Sequence, residues 1–137
     1  MTAHDYLSQI KDLDESIKSE LLYIGKLKRE AEGTSGKLEG ERVQSSGSKQ
    51  KMANTVVKYV HIEQTKLQDL RDRRQAILDT MAMLPTLEHD VLFKYYVLGY
   101  KLKAIAKAYN KSYQWARDKR RHALKLLQRI LERIENE

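Results

Sequence analysis

A stretch near the end of the chain places arginine, glutamine and aspartate side chains at spacings of three and four residues. Arginine can grip guanine and glutamine can grip adenine through paired hydrogen bonds, and a carboxylate can accept a hydrogen bond from the cytosine amino group. At 100° per residue these side chains share the side of a helix opposite Ala116. The spacing therefore predicts a helix that reads base edges in the major groove of duplex DNA. The predicted outward side consists of Gln114, Arg117, Asp118, Arg121 and Lys125.

The charge around this stretch is strongly positive. Between Gly99 and Arg129 the sequence holds 10 basic residues against one acid, Asp118, and the whole chain carries a net charge of +7. Such a local excess is typical of proteins with a polyanion partner. An ordinary solvated helix face is the alternative explanation. For Asp118 the alternatives are a role in reading DNA and an ion pair with Arg121 or His122.

A tight turn between two short helical patterns precedes the predicted reading helix. Asn110 tolerates the left-handed conformation that ends a helix, and Ser112 is a suitable N-cap for the next one. Ala106 and Ala116 are small, as two closely crossing helices require. These features predict a helix-turn-helix arrangement, whose second helix enters the major groove. The lysines expected to contact backbone phosphates are Lys101, Lys103, Lys107, Lys111 and Lys125.

Pro85 separates this region from two long helical patterns. One heptad-like stripe of apolar residues runs from Tyr6 to Ala31, with Thr2 as its N-cap, and a second begins near Lys49. The segment between the stripes is rich in glycine, serine and threonine, which predicts a flexible loop. We therefore expect an all-α fold with two domains. Residues 1–84 would form a long antiparallel helical hairpin with a flexible loop at 33–48, and residues 85–137 the helix-turn-helix domain.

A further short helix is expected directly after Pro85. Thr86 is a suitable N-cap, and Glu88 and Asp90 follow in the first turn, where the helix dipole favours anions. Gly99 is expected to end this helix in the left-handed conformation.

Residues for other kinds of chemistry are sparse. The chain has no cysteine, and its four histidines lack a metal-ligand spacing such as H-E-x-x-H. No glycine-rich loop follows a strand, as a phosphate-binding loop would. No side chain that could act as a general base accompanies the serines of SSGS. We therefore expect no metal, no cofactor and no enzymatic activity. Since no apolar run approaches the roughly 18 residues of a membrane span and no signal peptide is evident, we expect a cytoplasmic protein without membrane contact.

Residues 84–124, LPTLEHDVLFKYYVLGYKLKAIAKAYNKSYQWARDKRRHAL, resemble the fourth conserved region of sigma-70-type sigma factors. The whole chain is similar to small phage and prophage proteins of Gram-positive bacteria that contain segments like GERVQSSGSKQKMA (40–53) and SYQWARDKRRHALKLL (112–127). These proteins are grouped with late transcriptional regulators of the ArpU and RinA type. The resemblance implies a sigma-region-4-like helix-turn-helix, base contacts at Tyr113, Gln114, Arg117 and Asp118, and host RNA polymerase as a candidate partner. The residues that match are Leu84, Pro85, Glu88, Val91, Leu92, Tyr96, Gly99, Ile105, Ala106, Ser112, Ala123 and Leu124.

Two functions are consistent with the sequence. The first is a sequence-specific transcription regulator that binds double-stranded DNA as a homodimer. The second is an assembly protein, whose long helices mediate oligomerisation and whose basic face is incidental or serves DNA packaging, as in small terminase subunits. Small terminase subunits usually place the DNA-binding module before the oligomerisation helices. The order is reversed here, which favours the regulator.

Overall fold

A computed structural model describes the backbone of residues 1–36 and 46–137, and the side chains outside 33–53. Within these residues the fold is all-α, as the sequence predicts. In chain order the elements are α1 (Ala3–Gly36), α2 (Ser46–Met81), α3 (Thr86–Leu92), a π-helical segment (Phe93–Val97), α4 (Leu102–Ala108) and α5 (Tyr113–Glu135).

The chain divides into two compact units. The terminal unit comprises Met1–Asp14 and Arg73–Glu137, and the middle unit comprises Glu15–Asp72. This division differs from the boundary at Pro85 that the sequence predicts. The reason is that the first turns of α1 and the last turns of α2 share one hydrophobic core with α3 and α5.

The main core of the terminal unit joins α1, α2, α3 and α5. Its fully buried side chains include Leu7, Ile10, Met81, Leu92 and Leu127. Burying a side chain of this size stabilises a fold by about 1.5–3 kcal/mol. The inner side of α5 is therefore held firmly, which leaves its opposite side to face solvent.

A second, smaller core joins α3, α4 and α5. Val91, Ile105, Ala106 and Ala116 are buried there. The burial of the two alanines confirms the expectation that small residues lie where α4 and α5 approach each other. Trp115 packs at the edge of this core, with its ring centroid 5.4 Å from that of Tyr109.

The long helices extend further than the sequence predicts. The Asp5 backbone N–H donates to Thr2 Oγ1 at 3.1 Å, which confirms the predicted N-cap of α1. Helix α1 continues to Gly36 and α2 begins at Ser46, so the predicted loop 33–48 is too wide at both ends. Glycine and serine cost only about 0.5–1 kcal/mol each in a helix relative to alanine, which a long helix tolerates in its end turns. The rest of that loop, 37–45, and with it the predicted hairpin connection, lies outside the described residues.

Polar pairs connect α1 with α2. In the terminal unit Tyr6 Oη donates to Thr80 Oγ1 at 3.1 Å, and Arg74 forms an ion pair with Asp14. From the first pair to the second, the residue number rises in α1 and falls in α2, so the two helices run antiparallel in this unit. The middle unit buries Ile24, Leu27 and Leu67.

Helix α3 begins at Thr86 itself, with Pro85 in the N-cap position and no side chain capping the helix. The predicted role of Thr86 as the N-cap is therefore wrong. Pro85 has the extended ψ of 154° that an N-cap residue needs, and its carbonyl accepts the first helical hydrogen bond, from the His89 N–H at 2.9 Å. The backbone of Pro85 thus starts the helix one residue early.

The chain widens into a π-helix after α3, a feature that the sequence does not predict. The Leu98 N–H donates to the Phe93 carbonyl, five residues back, at 3.0 Å. Gly99 then adopts a φ of +75°, which confirms the predicted left-handed end. The Tyr100 N–H closes this end by donating to the Lys94 carbonyl at 2.8 Å.

Candidate nucleic-acid interface

Backbone hydrogen bonds fix the turn between α4 and α5. Asn110 has a φ of +54°, which confirms the predicted left-handed residue. The Lys111 N–H donates to the Ala106 carbonyl at 2.9 Å, and the Asn110 N–H donates to the Lys107 carbonyl at 3.1 Å. These two bonds form a Schellman motif, which ends α4 and reverses the chain direction.

Ser112 starts α5 directly after this turn. Its hydroxyl oxygen accepts a hydrogen bond from the Trp115 backbone N–H at 3.1 Å, which confirms the predicted N-cap. The cap satisfies one of the N–H groups that a helix start leaves without a partner.

The side chains predicted to read bases are all exposed on α5. Gln114 Nε2 donates to the two carboxylate oxygens of Asp118 at 3.3 and 3.4 Å, which are long and hence weak hydrogen bonds. Among the described residues Asp118 forms no ion pair with Arg121 or His122, so that alternative does not account for the acid. We call this set the reading face. Its members are Tyr113, Gln114, Arg117, Asp118 and Arg121.

The five lysines predicted to contact phosphates are exposed as well. In the part of the chain that the structure describes, none of them takes part in an ion pair or lies over an aromatic ring. The same holds for the exposed arginines of α5 up to Arg129, which is the end of the stretch with the basic excess. We call these eight cations the basic surface. Its members are Lys101, Lys103, Lys107, Lys111, Arg117, Arg121, Lys125 and Arg129.

Lys119 is one of two basic residues of this region that point into the protein instead. Its Nζ lies 3.1 Å from Glu88 Oε1, and the two side chains are only 25% and 11% exposed. His122 Nε2 lies 4.0 Å from the same carboxylate oxygen. Burial raises the pKa of Glu88, but its own backbone hydrogen bond and Lys119 outweigh burial, so the pKa lies below the ordinary value. Glu88 is therefore ionised at neutral pH and neutralises Lys119.

Arg120 is the other inward-pointing cation. Its guanidinium lies against the rings of Tyr95 and Tyr96. The sequence-based prediction placed Lys119 on the flank of the helix with Trp115 and His122, and it assigned Arg120 no buried position. Helical spacing could have predicted the inward direction of both side chains, because residues three and four positions after the buried Ala116 lie on the same side of the helix.

Among the described residues, no three or more His, Asp or Glu side chains come together as metal ligands would, and no helix combines the length and apolar character of a bilayer span. Comparisons of the chain with protein-family models, with curated proteins and with solved structures found no match. The candidate site of this chain is therefore the exposed side of α4 and α5.

Proposed function

We propose that this chain is a sequence-specific transcription regulator that binds double-stranded DNA, with α5 in the major groove. The observation that carries this proposal is the basic surface, whose eight cations are exposed and have no acidic partner among the described residues. A solvated helix face usually alternates charges so that acids and bases pair three or four residues apart. The basic surface lacks that alternation, which favours an external polyanion.

The orientation of α5 supports its role as the inserted helix. Ala116, Ala123 and Leu127 bury its inner side, so the reading face is the side that remains available to DNA. The reading face begins at the first residue after the Ser112 cap and covers about two and a half turns. In helix-turn-helix proteins the N-terminal residues of the second helix reach the base edges.

The resemblance to sigma-region-4-like phage proteins supports a more specific version of the proposal. In that version the chain is a phage or prophage late regulator that acts in the cytoplasm and catalyses no reaction. Host RNA polymerase is then a further partner, bound while the reading face contacts DNA.

Binding titrations at several salt concentrations test the contact with DNA. If the basic surface meets phosphates, log affinity should fall linearly with log salt, by about 0.9 for each phosphate neutralised. Lys107→Ala should lower this slope by about 0.9 on any duplex. Lys28→Ala removes the same charge from an exposed position in the middle unit and should leave the slope unchanged. A flat response, or no binding at low salt, contradicts the proposal.

A selection of bound duplexes from random sequences tests whether α5 reads bases. Arg117→Ala and Gln114→Ala should each cost about 1–3 kcal/mol on the preferred duplex and relax its sequence preference, because hydrogen bonds to base edges are lost. Lys103→Ala should weaken binding to preferred and scrambled duplexes alike. Uniform recovery of sequences, or equal losses for all variants on both duplexes, would speak against sequence reading.

Exposed apolar side chains in the middle unit favour a second candidate function, a helical assembly protein such as a small-terminase-like DNA packaging factor. A two-helix layer buries only one side of each helix, so a second copy would cover such side chains. Light scattering at micromolar concentration should then show a dimer or larger species, and a monomer would contradict it. A dimer combined with uniform recovery in the selection favours assembly over regulation. The side chains, 46–66% exposed, are Leu21, Leu22, Tyr23, Val57, Tyr59 and Ile62.

A further inference from the structure

Arg120 contacts two aromatic rings on the inner side of α5. Its guanidinium carbon lies 4.5 Å from the ring centroid of Tyr95 and 5.7 Å from that of Tyr96. Nη2 donates to Tyr96 Oη at 3.0 Å. Since a guanidinium is permanently charged, the two ring contacts and the hydrogen bond together restrain its position.

The buried Arg120 Nε has no hydrogen-bond partner among the described residues. A buried unpaired N–H costs about 1–3 kcal/mol of stability. This cost offsets part of the stabilisation that the ring contacts and the Tyr96 hydrogen bond provide. The contacts around Arg120 therefore restrain its geometry at a reduced gain in stability.

The π-helical segment presents the two rings to Arg120. A π-helix fits more residues into each turn than an α-helix, so successive side chains point in more similar directions. The rings of Tyr95 and Tyr96 lie 4.9 Å apart at an interplanar angle of 71°, and both contact one guanidinium. Single π-helical turns of this kind frequently occur at functional sites.

The start of α1 restrains the same contact and a second point on α5. His4 Nδ1 lies 2.7 Å from Tyr96 Oη and 3.4 Å from Arg120 Nη2. The Ala3 N–H donates to Gln128 Oε1 at 2.7 Å, about two turns further along α5. These two contacts, at different positions along the helix axis, restrain the rotation of α5 about that axis.

Rotation of α5 matters because Arg117 and Arg121 of the reading face are on the same helix as Arg120, within one turn of it. Any rotation that Arg120 prevents would also displace these two side chains. A group about 6 Å from the helix axis moves about 1 Å for each 10° of rotation. Paired hydrogen bonds to a base require placement within about 0.5 Å. We propose that Arg120 is a positioning residue that sets the rotation of α5 and thereby the sequence discrimination of the reading face, an inference that rests on the proposed function.

Arg120→Lys tests this role because lysine keeps the charge but lacks the planar, stacking group. Affinities are measured for the preferred duplex and for a scrambled one at fixed salt. The ratio of the two should fall about tenfold, the loss of roughly one base-specific contact. Affinity for the scrambled duplex and the salt slope should not change. Tyr96→Phe, which keeps the ring and removes only the hydroxyl, should lower the ratio by a smaller factor, about threefold.

Arg133→Lys is the matched control, the same change at an exposed position of α5 outside the reading face and the basic surface. It should leave the affinity ratio unchanged. If the unmodified protein discriminates between duplexes and both Arg120→Lys and Tyr96→Phe keep its ratio, the positioning role is overturned while the proposed function stands. Equal losses on both duplexes also overturn it, because they indicate a structural role alone. If the unmodified protein shows no sequence preference, the positioning role and the proposed function are both overturned.

Discussion

Replacing Glu88 by glutamine tests the buried charge pair beneath α5. Glu88 is 8% exposed and lies in the first turn of α3, while its partner Lys119 belongs to α5. Glutamine keeps the size of the side chain and its hydrogen-bonding capacity but removes the negative charge. The Lys119 ammonium would then remain largely buried without a counter-ion.

The expected loss of stability follows from how far the pair is buried. An exposed ion pair contributes at most about 1 kcal/mol, whereas breaking a fully buried one costs about 3–5 kcal/mol. With side-chain exposures of 11% for Glu88 and 25% for Lys119, the pair lies between these limits. We expect Glu88→Gln to lower the free energy of unfolding by about 2 kcal/mol at neutral pH. For 137 residues this corresponds to a fall in Tm of roughly 7 °C.

The pH dependence of this loss identifies its cause. The pKa of Glu88 is lowered in the folded chain because its backbone hydrogen bond and Lys119 outweigh the effect of burial. A carboxyl group with a lowered pKa stabilises the fold above its ordinary pKa, and that stabilisation is lost as the pH falls through the folded-state pKa. The difference between the unmodified protein and Glu88→Gln should therefore be full at neutral pH and disappear in acid.

Urea unfolding followed by circular dichroism measures this difference, and Asp90→Asn is the matched control. Asp90 also lies in α3 and forms an ion pair with Lys94, four residues along, at 2.6 Å. Such a local helical pair contributes only about 0.5 kcal/mol. Equal losses in the two variants, or a Glu88→Gln difference that persists in acid, would refute the reasoning.

Three further changes test local features by the same unfolding assay. Asn110→Ala should cost about 1 kcal/mol because a φ of +54° is strained for alanine, whereas Asn110→Gly should cost almost nothing; equal stabilities would contradict the left-handed turn. Ser112→Ala should cost about 1 kcal/mol through loss of the N-cap, and Ser112→Asp should keep most of it; no loss in the alanine variant would show that the cap is unimportant. Glu20→Gln should raise stability at neutral pH, because the neighbouring Glu63 carboxylate and burial raise the pKa of Glu20 and favour its neutral form. That gain should vanish in acid, where Glu20 is itself protonated, and a gain independent of pH would contradict the explanation.

The sequence predicted the features that depend on neighbouring residues. Asn110, Ser112 and Gly99 were identified from backbone and capping chemistry, which acts within about one helical turn, and the structure confirms each. The outward side of α5 followed from the 100° period alone, and its members are all exposed: Gln114, Arg117, Asp118, Arg121 and Lys125. Binding of DNA by that face stays a prediction.

The prediction from the sequence was wrong where local preferences are weak or compete with one another. Thr86 is a good N-cap residue, but Pro85 already supplies the required backbone conformation, so the helix begins one residue earlier. The glycines and serines at the edges of 33–48 weaken a helix without ending it, because their penalty is small for the end turns of a long helix. The π-helical segment likewise has no marker in local propensity.

Only the tertiary structure decided which cations of α5 remain free. In the sequence Lys119, Arg120 and Arg121 are adjacent and equally charged. In the fold Lys119 meets Glu88 and Arg120 meets Tyr96, both on segments that precede the α4–α5 turn, while Arg121 stays exposed. The terminal unit likewise takes in the start of α1, far from α5 in sequence. Capping and helical period depend on atoms a few residues apart, whereas ion pairing and stacking depend on which helices pack together, and that depends on the whole core.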